Sequence, residues 1–405
     1  MSSAESSRLT FAAGTGPDAA PRGAAVAGPG TSSLPTGSAA AEASEARRTW
    51  TVRSALEWTR DFLTRKGDEH PRLSAEWLLC AATGLSRVDL YVNYDRPLDA
   101  SELSTLHDGV ARRGRGEPLQ YVTGEVGFRH IVLKCAPGVL IPRPETEILV
   151  DEVLAYLSDL AKVRGEGSQL IGPPSPLRTL EVGVGTGCIT LSLASECPAV
   201  HAVATDISPD AIALATRNRD ALDLTSRVSL VHTDLAAGVE GAAAGVFDVL
   251  VSNPPYIPTA QMALLPREVG GFEPSLALDG GPDGLDVFRR LVDLGTTALR
   301  PGGLLACELH ENTLVAASEL PGIRAHYRDV RIVRDLTNRN RILCALRADD
   351  RASSAAPTGS GSAASASVVP TDGLTSPTGC TTPAVASVAA AAPVTPAPAR
   401  EGSAR

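Results

Sequence analysis

Seven short apolar runs separated by helix-length segments fill the chain from Arg178 to Leu346, and this alternation restricts the fold more than any other feature. The expected strands are 178–182, 202–206, 228–232, 247–252, 303–309, 330–335 and 341–346. Strands that alternate with helices form a mostly parallel sheet with helices on both faces. Only Leu336 to Asn340 separates the last two strands, which is too short for a crossover, so that pair runs antiparallel. Ser208 followed by Pro209 marks one helix start, with a capping hydroxyl and a proline at the first helical position. The expected fold is an α/β, Rossmann-like, seven-stranded sheet.

The rest of the chain divides by composition. Residues 1–46 and 349–405 are dominated by Ala, Gly, Ser, Thr and Pro, and both read as disordered low-complexity tails. All three Trp and all six Tyr lie between Thr49 and Arg347. Residues 47–116 are helical in pattern: Ala55, Trp58, Phe62 and Leu63 share one helix face, and Asp99 to Leu103 looks like a capped start. Residues 117–140 are rich in β-formers, including Tyr121 to Thr123 and Phe128 to Leu133, and suggest a hairpin-like connector. Residues 141–348 form the α/β domain. Its first helix is opened by Pro144, and Arg143 beside Glu145 reads as a surface ion pair or as a wall of the site.

Several classes of function are excluded or disfavoured. No secretory leader is visible, and no apolar run is long enough to span a bilayer. Seven cysteines lack metal-like spacing and read as reduced thiols of a cytoplasmic protein, with no metal centre. The net charge of -9 disfavours broad binding to a phosphate backbone, so Arg112-Arg113-Gly114-Arg115 reads as a solvated helix end.

Two motifs carry chemistry. In Glu181-Val182-Gly183-Val184-Gly185-Thr186-Gly187 a strand ends in an acid and then in glycines at every second position. Glycines let a backbone approach a ligand closely. A dinucleotide fingerprint is spaced Gly-x-Gly-x-x-Gly, and a carboxylate at Glu181 would repel a pyrophosphate. It suits a cation, such as the amino group of S-adenosyl-L-methionine. Asp206 ends the next strand, where an acid binds ribose hydroxyls. Asp234 and Leu235 end the third and suit an adenine amine and ring, although a plain loop acid explains Asp234 equally well. Taken alone, this segment leaves a nicotinamide-binding unit open.

The second motif is Asn253-Pro254-Pro255-Tyr256, directly after the buried-strand pattern Phe247-Asp248-Val249-Leu250-Val251-Ser252. Two prolines end the strand and stiffen the backbone beyond it, at the edge where α/β sheets bind ligands. The Asn253 amide and the Pro254 carbonyl can together accept two N–H bonds from one planar NH₂ group, with Pro255 and Tyr256 walling it. The reacting group is then a planar amide or an exocyclic amine.

Gly116-Glu117-Pro118-Leu119-Gln120-Tyr121, Leu140-Ile141-Pro142-Arg143-Pro144-Glu145-Thr146-Glu147, the Glu181–Gly187 loop and Asn253–Tyr256 occur in that order. With Phe272-Glu273-Pro274 and Asp335 to Arg341, they make residues 51–347 resemble the release factor glutamine methyltransferases (the HemK/PrmC family). The resemblance implies a class I methyltransferase sheet with S-adenosyl-L-methionine as cofactor. It implies a substrate too, the glutamine of the Gly-Gly-Gln loop of class 1 peptide chain release factors, methylated at the side-chain nitrogen N5. Asn253, Pro254 and Tyr256 would be catalytic, Asn253 to Tyr256 would hold the substrate, and Glu181, Gly183, Val184, Gly185, Thr186, Gly187, Asp206, Asp234, Leu235 and Asn253 would hold the cofactor. The helical domain would bind the release factor. The expected protein is a cytoplasmic monomer without direct nucleic-acid or membrane partners. The chain departs from the family at His310 and Asn312, where Gly and Gln are usual. An adenine-amine methyltransferase acting on DNA or RNA is the rival enzyme, and a non-catalytic cofactor-binding module is the rival outside catalysis.

Overall fold

A computed structural model describes residues 49–167 and 176–349, so the two low-complexity stretches lie outside the described residues, Asp349 excepted. The chain forms two compact units that divide between Thr123 and Gly124.

The first unit is helical: α1 (Val52–Lys66), α2 (Pro71–Thr83), α3 (Arg87–Val92), α4 (Ala100–Arg113) and α5 (Leu119–Thr123). Short polar residues start three of these helices. Thr51, Ser86 and Asp99 each form a reciprocal capping box with the residue three positions on, which satisfies backbone N–H groups the first turn leaves open. Ala55, Phe62, Leu63, Leu79, Leu106 and Val110 fill the core, and Trp58 stacks on Phe62 with ring centroids 5.3 Å apart. Tyr121 to Thr123, expected as β, form a helical turn instead. The Pro118 carbonyl accepts from the N–H groups of both Tyr121 and Val122, and this local closure overrides the β-forming side chains.

The second unit opens with a hairpin, β1 (Glu125–Phe128) and β2 (Ile131–Lys134), whose Phe128, Ile131 and Leu133 point into the core. The chain then runs through α6 (Thr146–Gly167), β3 (Leu177–Val182), α7 (Cys188–Glu196), β4 (Val200–Asp206), α8 (Pro209–Ala221), β5 (Val228–His232) and β6 (Phe247–Ser252). After the short α9 (Arg267–Gly270) come α10 (Asp286–Ala298), β7 (Leu299–Glu308), α11 (Leu314–Ser318), α12 (Pro321–His326), β8 (Tyr327–Arg334) and β9 (Asn340–Arg347).

The seven strands make one sheet in the order β5-β4-β3-β6-β7-β9-β8. It is parallel as far as β7, while β9 runs antiparallel to both β7 and β8, as the short final link requires. Successive residues of β6 serve opposite faces. Val249 and Val251 pack into the layer with α6 and α7 and Leu250 into the layer with α10, which Phe247 joins across a register irregularity between Phe247 and Val249. Because both faces are covered, β6 is buried throughout and apolar at its centre, Val249 to Val251, while its buried Asp248 ion-pairs with Arg164 and Arg300.

β7 begins four residues earlier than its apolar pattern, at Leu299. Its pairing with β6 jumps from Phe247↔Leu299 to Val249↔Leu304, an irregularity that absorbs Arg300 to Gly303. The topology places the site. From β3 the chain steps outward to β4 and β5, then returns to the other side of β3 to lay down β6 and β7. The order therefore reverses between β3 and β6, and the crevice beyond their carboxyl ends is where such sheets bind ligands.

Candidate active site

Both sequence motifs meet at this crevice, the glycine loop at the end of β3 and Asn253 at the end of β6. Ser252 ties the two strand ends together, its Oγ donating to the Val182 carbonyl at 2.7 Å.

Glu181 is 1% exposed. Its Oε2 accepts from the Thr190 N–H of α7 at 2.9 Å, but Oε1 has no hydrogen-bond partner. Burial pushes this carboxyl up to about 8, and the neighbouring charge of Asp206 adds to the shift. Gly183 and Gly187 hold φ angles of 79° and 90°, which side-chain-bearing residues rarely adopt. A Cβ on Gly183 would meet nothing within 4 Å, whereas one on Gly187 would lie 2.7 Å from Leu191 Cδ1. The first glycine thus keeps space over the loop open, and the last lets α7 pack closely. Both Gly183 and Val184 donate backbone N–H bonds to the Thr205 carbonyl, at 2.8 and 2.9 Å. Thr186 is buried, and its carbonyl accepts from Asn218 Nδ2 of α8 at 2.8 Å.

Asp206 ends β4 beside this loop. Its Oδ2 accepts from the Gly185 N–H at 3.0 Å and its Oδ1 from the Ser208 N–H at 2.9 Å. Burial raises its pKa, against these backbone bonds. Each oxygen keeps a lone pair, so ribose hydroxyls can bind without breaking the loop. Asp234 is exposed and ion-pairs with Arg290 of α10 at 2.6 Å. Leu235 adopts a φ of 51°, and its carbonyl accepts from the Thr205 hydroxyl at 2.5 Å. An unpartnered acid oxygen, an open glycine loop and a second acid at the next strand end fit the amino group, chain and ribose of S-adenosyl-L-methionine.

Across the crevice, Asn253 Nδ2 donates to Thr146 Oγ1 at 3.2 Å, and the Thr146 hydroxyl donates to Glu308 Oε2 at 2.6 Å. The Tyr256 hydroxyl donates to Glu308 Oε1 at 3.4 Å. Burial pushes Glu308 up to about 7 and also raises Tyr256, whose hydroxyl further feels the Glu308 charge. Pro254 is buried, and its carbonyl takes no part in backbone bonding among the described residues. Behind the motif lies the Leu278–Gly284 loop. The Ile257 N–H donates to the Leu278 carbonyl and the Gly280 N–H to the Ile257 carbonyl, at 2.9 and 2.8 Å. A Cβ on Gly280 would sit 2.7 Å from the Pro255 carbonyl oxygen, so only glycine lets the loop brace the motif.

The partner of Arg143 is not Glu145 but Glu273, a nearly buried acid that also accepts from the Ile141 N–H at 3.2 Å. This clamp joins the Ile-Pro-Arg-Pro-Glu-Thr segment to Phe272-Glu273-Pro274. His310 lies 6.4 Å from the Tyr256 ring, centroid to centroid, and its Nδ1 accepts from the Asn312 N–H at 3.3 Å. The two departures from the family pattern are thus joined in one local turn. Among the described residues no group of three His, Cys, Asp or Glu side chains is placed to hold a metal, and no helix is long and apolar enough to cross a membrane.

Thr146, Glu308 and Gly280 were not among the expected site residues. For Glu308 a signal existed, since it ends an apolar strand with an acid just as Glu181 does.

Comparison with known proteins gives the site its context. Residues 54–124 match the family model "PrmC N-terminal domain" and residues 171–265 match "Methyltransferase small domain". The release factor glutamine methyltransferase of Geobacter sulfurreducens is 45% identical over 260 residues, covering 64% of this chain and 84% of that protein. The Moorella thermoacetica enzyme of the same name is 39% identical, covering 74% and 100%, and that of Rhodopirellula baltica 37%, covering 73% and 95%. Among solved structures, the hMettl16 catalytic domain in complex with an RNA hairpin is 17% identical with a TM-score of 0.43, over 60% of this chain and 83% of that one, which is too distant to bear on substrate. The chain belongs to the release factor glutamine methyltransferase family.

Proposed function

We infer that this protein transfers the methyl group of S-adenosyl-L-methionine to the side-chain amide nitrogen, N5, of the Gly-Gly-Gln glutamine in class 1 peptide chain release factors. The observation that carries this reading is the rigid Asn253-Pro254 pair at the end of β6, beside the Glu181 loop and pinned from behind by Thr146 and Glu308.

An amide nitrogen is a poor nucleophile because its lone pair is delocalised into the carbonyl. Asn253 Oδ1 and the Pro254 carbonyl accept the two N–H bonds of the substrate NH₂, which fixes its plane. They also stabilise the positive charge that grows on nitrogen as the new bond forms. The cofactor supplies a sulfonium methyl that needs no further activation. Glu181 holds the cofactor amino group, Asp206 its ribose, and Asp234 and Leu235 its adenine. Tyr256 and Pro255 wall the slot. After transfer the nitrogen is strongly acidic and releases a proton, so no dedicated base is required.

The helical domain, residues 47–116, binds the release factor, the hairpin connector of 117–140 leads from it, and residues 141–348 carry the chemistry. Residues 1–46 and 349–405 are tails. We place the enzyme in the cytoplasm, acting as a monomer on a protein rather than on nucleic acid. The test is mass spectrometry of a release factor incubated with the protein and labelled cofactor. One methyl group on the Gly-Gly-Gln glutamine is expected, and a release factor left unmodified would overturn the reading.

A further inference from the structure

An asparagine amide has two ends of nearly equal size, and only one of them can serve this reaction. The oxygen accepts from the substrate NH₂, while the amide nitrogen, turned to the same place, would present hydrogens to hydrogens. Something must decide which end faces the crevice. We propose that Thr146 and Glu308 decide it, acting as positioning residues that hold the Asn253 oxygen toward the substrate nitrogen. This rests on the glutamine-methylation reading and adds to it two residues that touch neither substrate nor cofactor.

The orientation comes down to a count of protons. The Thr146 hydroxyl carries one hydrogen, and at 2.6 Å it is committed to Glu308 Oε2. Thr146 Oγ1 can therefore only accept toward Asn253, and what meets it is the Asn253 NH₂ at 3.2 Å. A flipped Asn253 would set its carbonyl oxygen against Oγ1 with no proton between them, leaving the buried Thr146 oxygen without a donor from Asn253. Glu308 is 1% exposed and both of its oxygens are engaged, Oε2 by Thr146 and Oε1 by Tyr256.

The same count makes the arrangement depend on the charge of Glu308. A protonated Glu308 can donate to Thr146 Oγ1, which frees the Thr146 hydrogen for the Asn253 oxygen and turns the NH₂ outward. The charged and titratable groups around Glu308 are Arg341 of β9, Glu145 just before α6, Tyr256 after β6 and Cys188 at the start of α7. Arg341 favours the ionised carboxylate and Glu145 opposes it, while burial pushes the group up to about 7. The productive form therefore prevails above about pH 7 and is lost as pH falls through that value.

The test uses the full chain, an intact release factor and saturating cofactor, with kcat followed from about pH 5.5 to about pH 9. Thr146→Val keeps the shape and removes the acceptor, so kcat should fall about tenfold or more while the Kd for cofactor stays within about twofold. Thr146→Ser, which restores the hydroxyl, should recover most of the loss. Glu308→Gln should lower kcat and erase the acid limb of the wild-type profile, because no group there titrates. Wild-type kcat in Thr146→Val, a Thr146→Ser variant as poor as Thr146→Val, or an unchanged acid limb in Glu308→Gln would each overturn the proposal. If Thr146→Val melts below the assay temperature, the Ser and Gln variants decide the matter alone. Failure of the wild type to methylate the factor would instead sink the functional reading.

Discussion

Replacing Glu181 by Gln should make the cofactor-free protein more stable and, at the same time, a worse binder. Glu181 is almost fully buried, with one oxygen on the Thr190 N–H and the other unpartnered. Burial raises its folded pKa to about 8, from 4.5 for an unperturbed glutamate. For a raised pKa, the contribution to stability is fully present below the unfolded value and is lost as pH rises through the folded one. Ionisation thus favours unfolding from about pH 4.5 upward, levelling off above about pH 8. At pH 7.5 the linkage amounts to roughly 4 kcal/mol, of which the buried NH₂ of Gln gives back about 1–3 kcal/mol when left without a partner. The net gain of about 1–3 kcal/mol corresponds to a Tm higher by roughly 2–10 °C for a domain of this size. Calorimetric scans of both proteins from pH 5 to pH 9 should show curves that diverge as pH rises. In titrations with S-adenosyl-L-methionine, Glu181→Gln should bind at least about tenfold more weakly, having lost the charge that faces the ligand's amino group. A variant no more stable than wild type at pH 8, with unchanged affinity, would refute the idea that this buried acid is kept for its charge.

The geometry sets three further outcomes. Asn253→Ala should leave cofactor affinity within a few-fold but lower methyl transfer about a hundredfold or more, measured as label incorporated under saturating cofactor. Asp206→Ala should weaken S-adenosyl-L-methionine by ~2–3 kcal/mol in calorimetry, since it removes both a ribose acceptor and the anchor of the Gly185 N–H. A short peptide carrying Gly-Gly-Gln should be methylated far more slowly than the folded release factor, because it lacks remote binding energy, and added DNA should neither compete nor acquire label. Labelled adenine with an untouched release factor would move the assignment to the nucleic-acid rival.

Most of the sheet was legible because a strand covered on both faces is mostly apolar. β6, from Phe247 to Ser252, shows it at Val249 to Val251, and its one charge, Asp248, is held by Arg164 and Arg300. Legibility failed where backbone geometry overrode side-chain pattern. Arg300 to Gly303 look like a loop, yet β7 passes through them on a register irregularity. Tyr121 to Thr123 look like a strand, yet the Pro118 carbonyl closes them into a helical turn. Each exception rests on hydrogen bonds that the order of side chains does not record.

The site divides along the same line. The glycine loop and Asn253–Tyr256 are local motifs, each imposing its chemistry within a few residues, and the topology merely brings their strand ends together. The partners that tune them are distant. Thr146 is 107 residues from Asn253 and 162 from Glu308, and Glu273 lies 132 from Ile141. Arg143 shows the consequence: its sequence neighbour Glu145 was the natural partner to expect, and the fold gives it Glu273 instead. One trace of this second set did survive in the sequence, namely that β7 carries an acid at its last residue, as β4 does and as β3 does one residue earlier. On either side of β6, burial raises both Glu181 and Glu308 into the neutral range, and both therefore weigh against the folded state near neutral pH. An apolar residue at either position would suit the fold better. What an apolar residue cannot do is meet a cation beside the glycine loop, or hold one threonine hydrogen so that Asn253 keeps its oxygen forward.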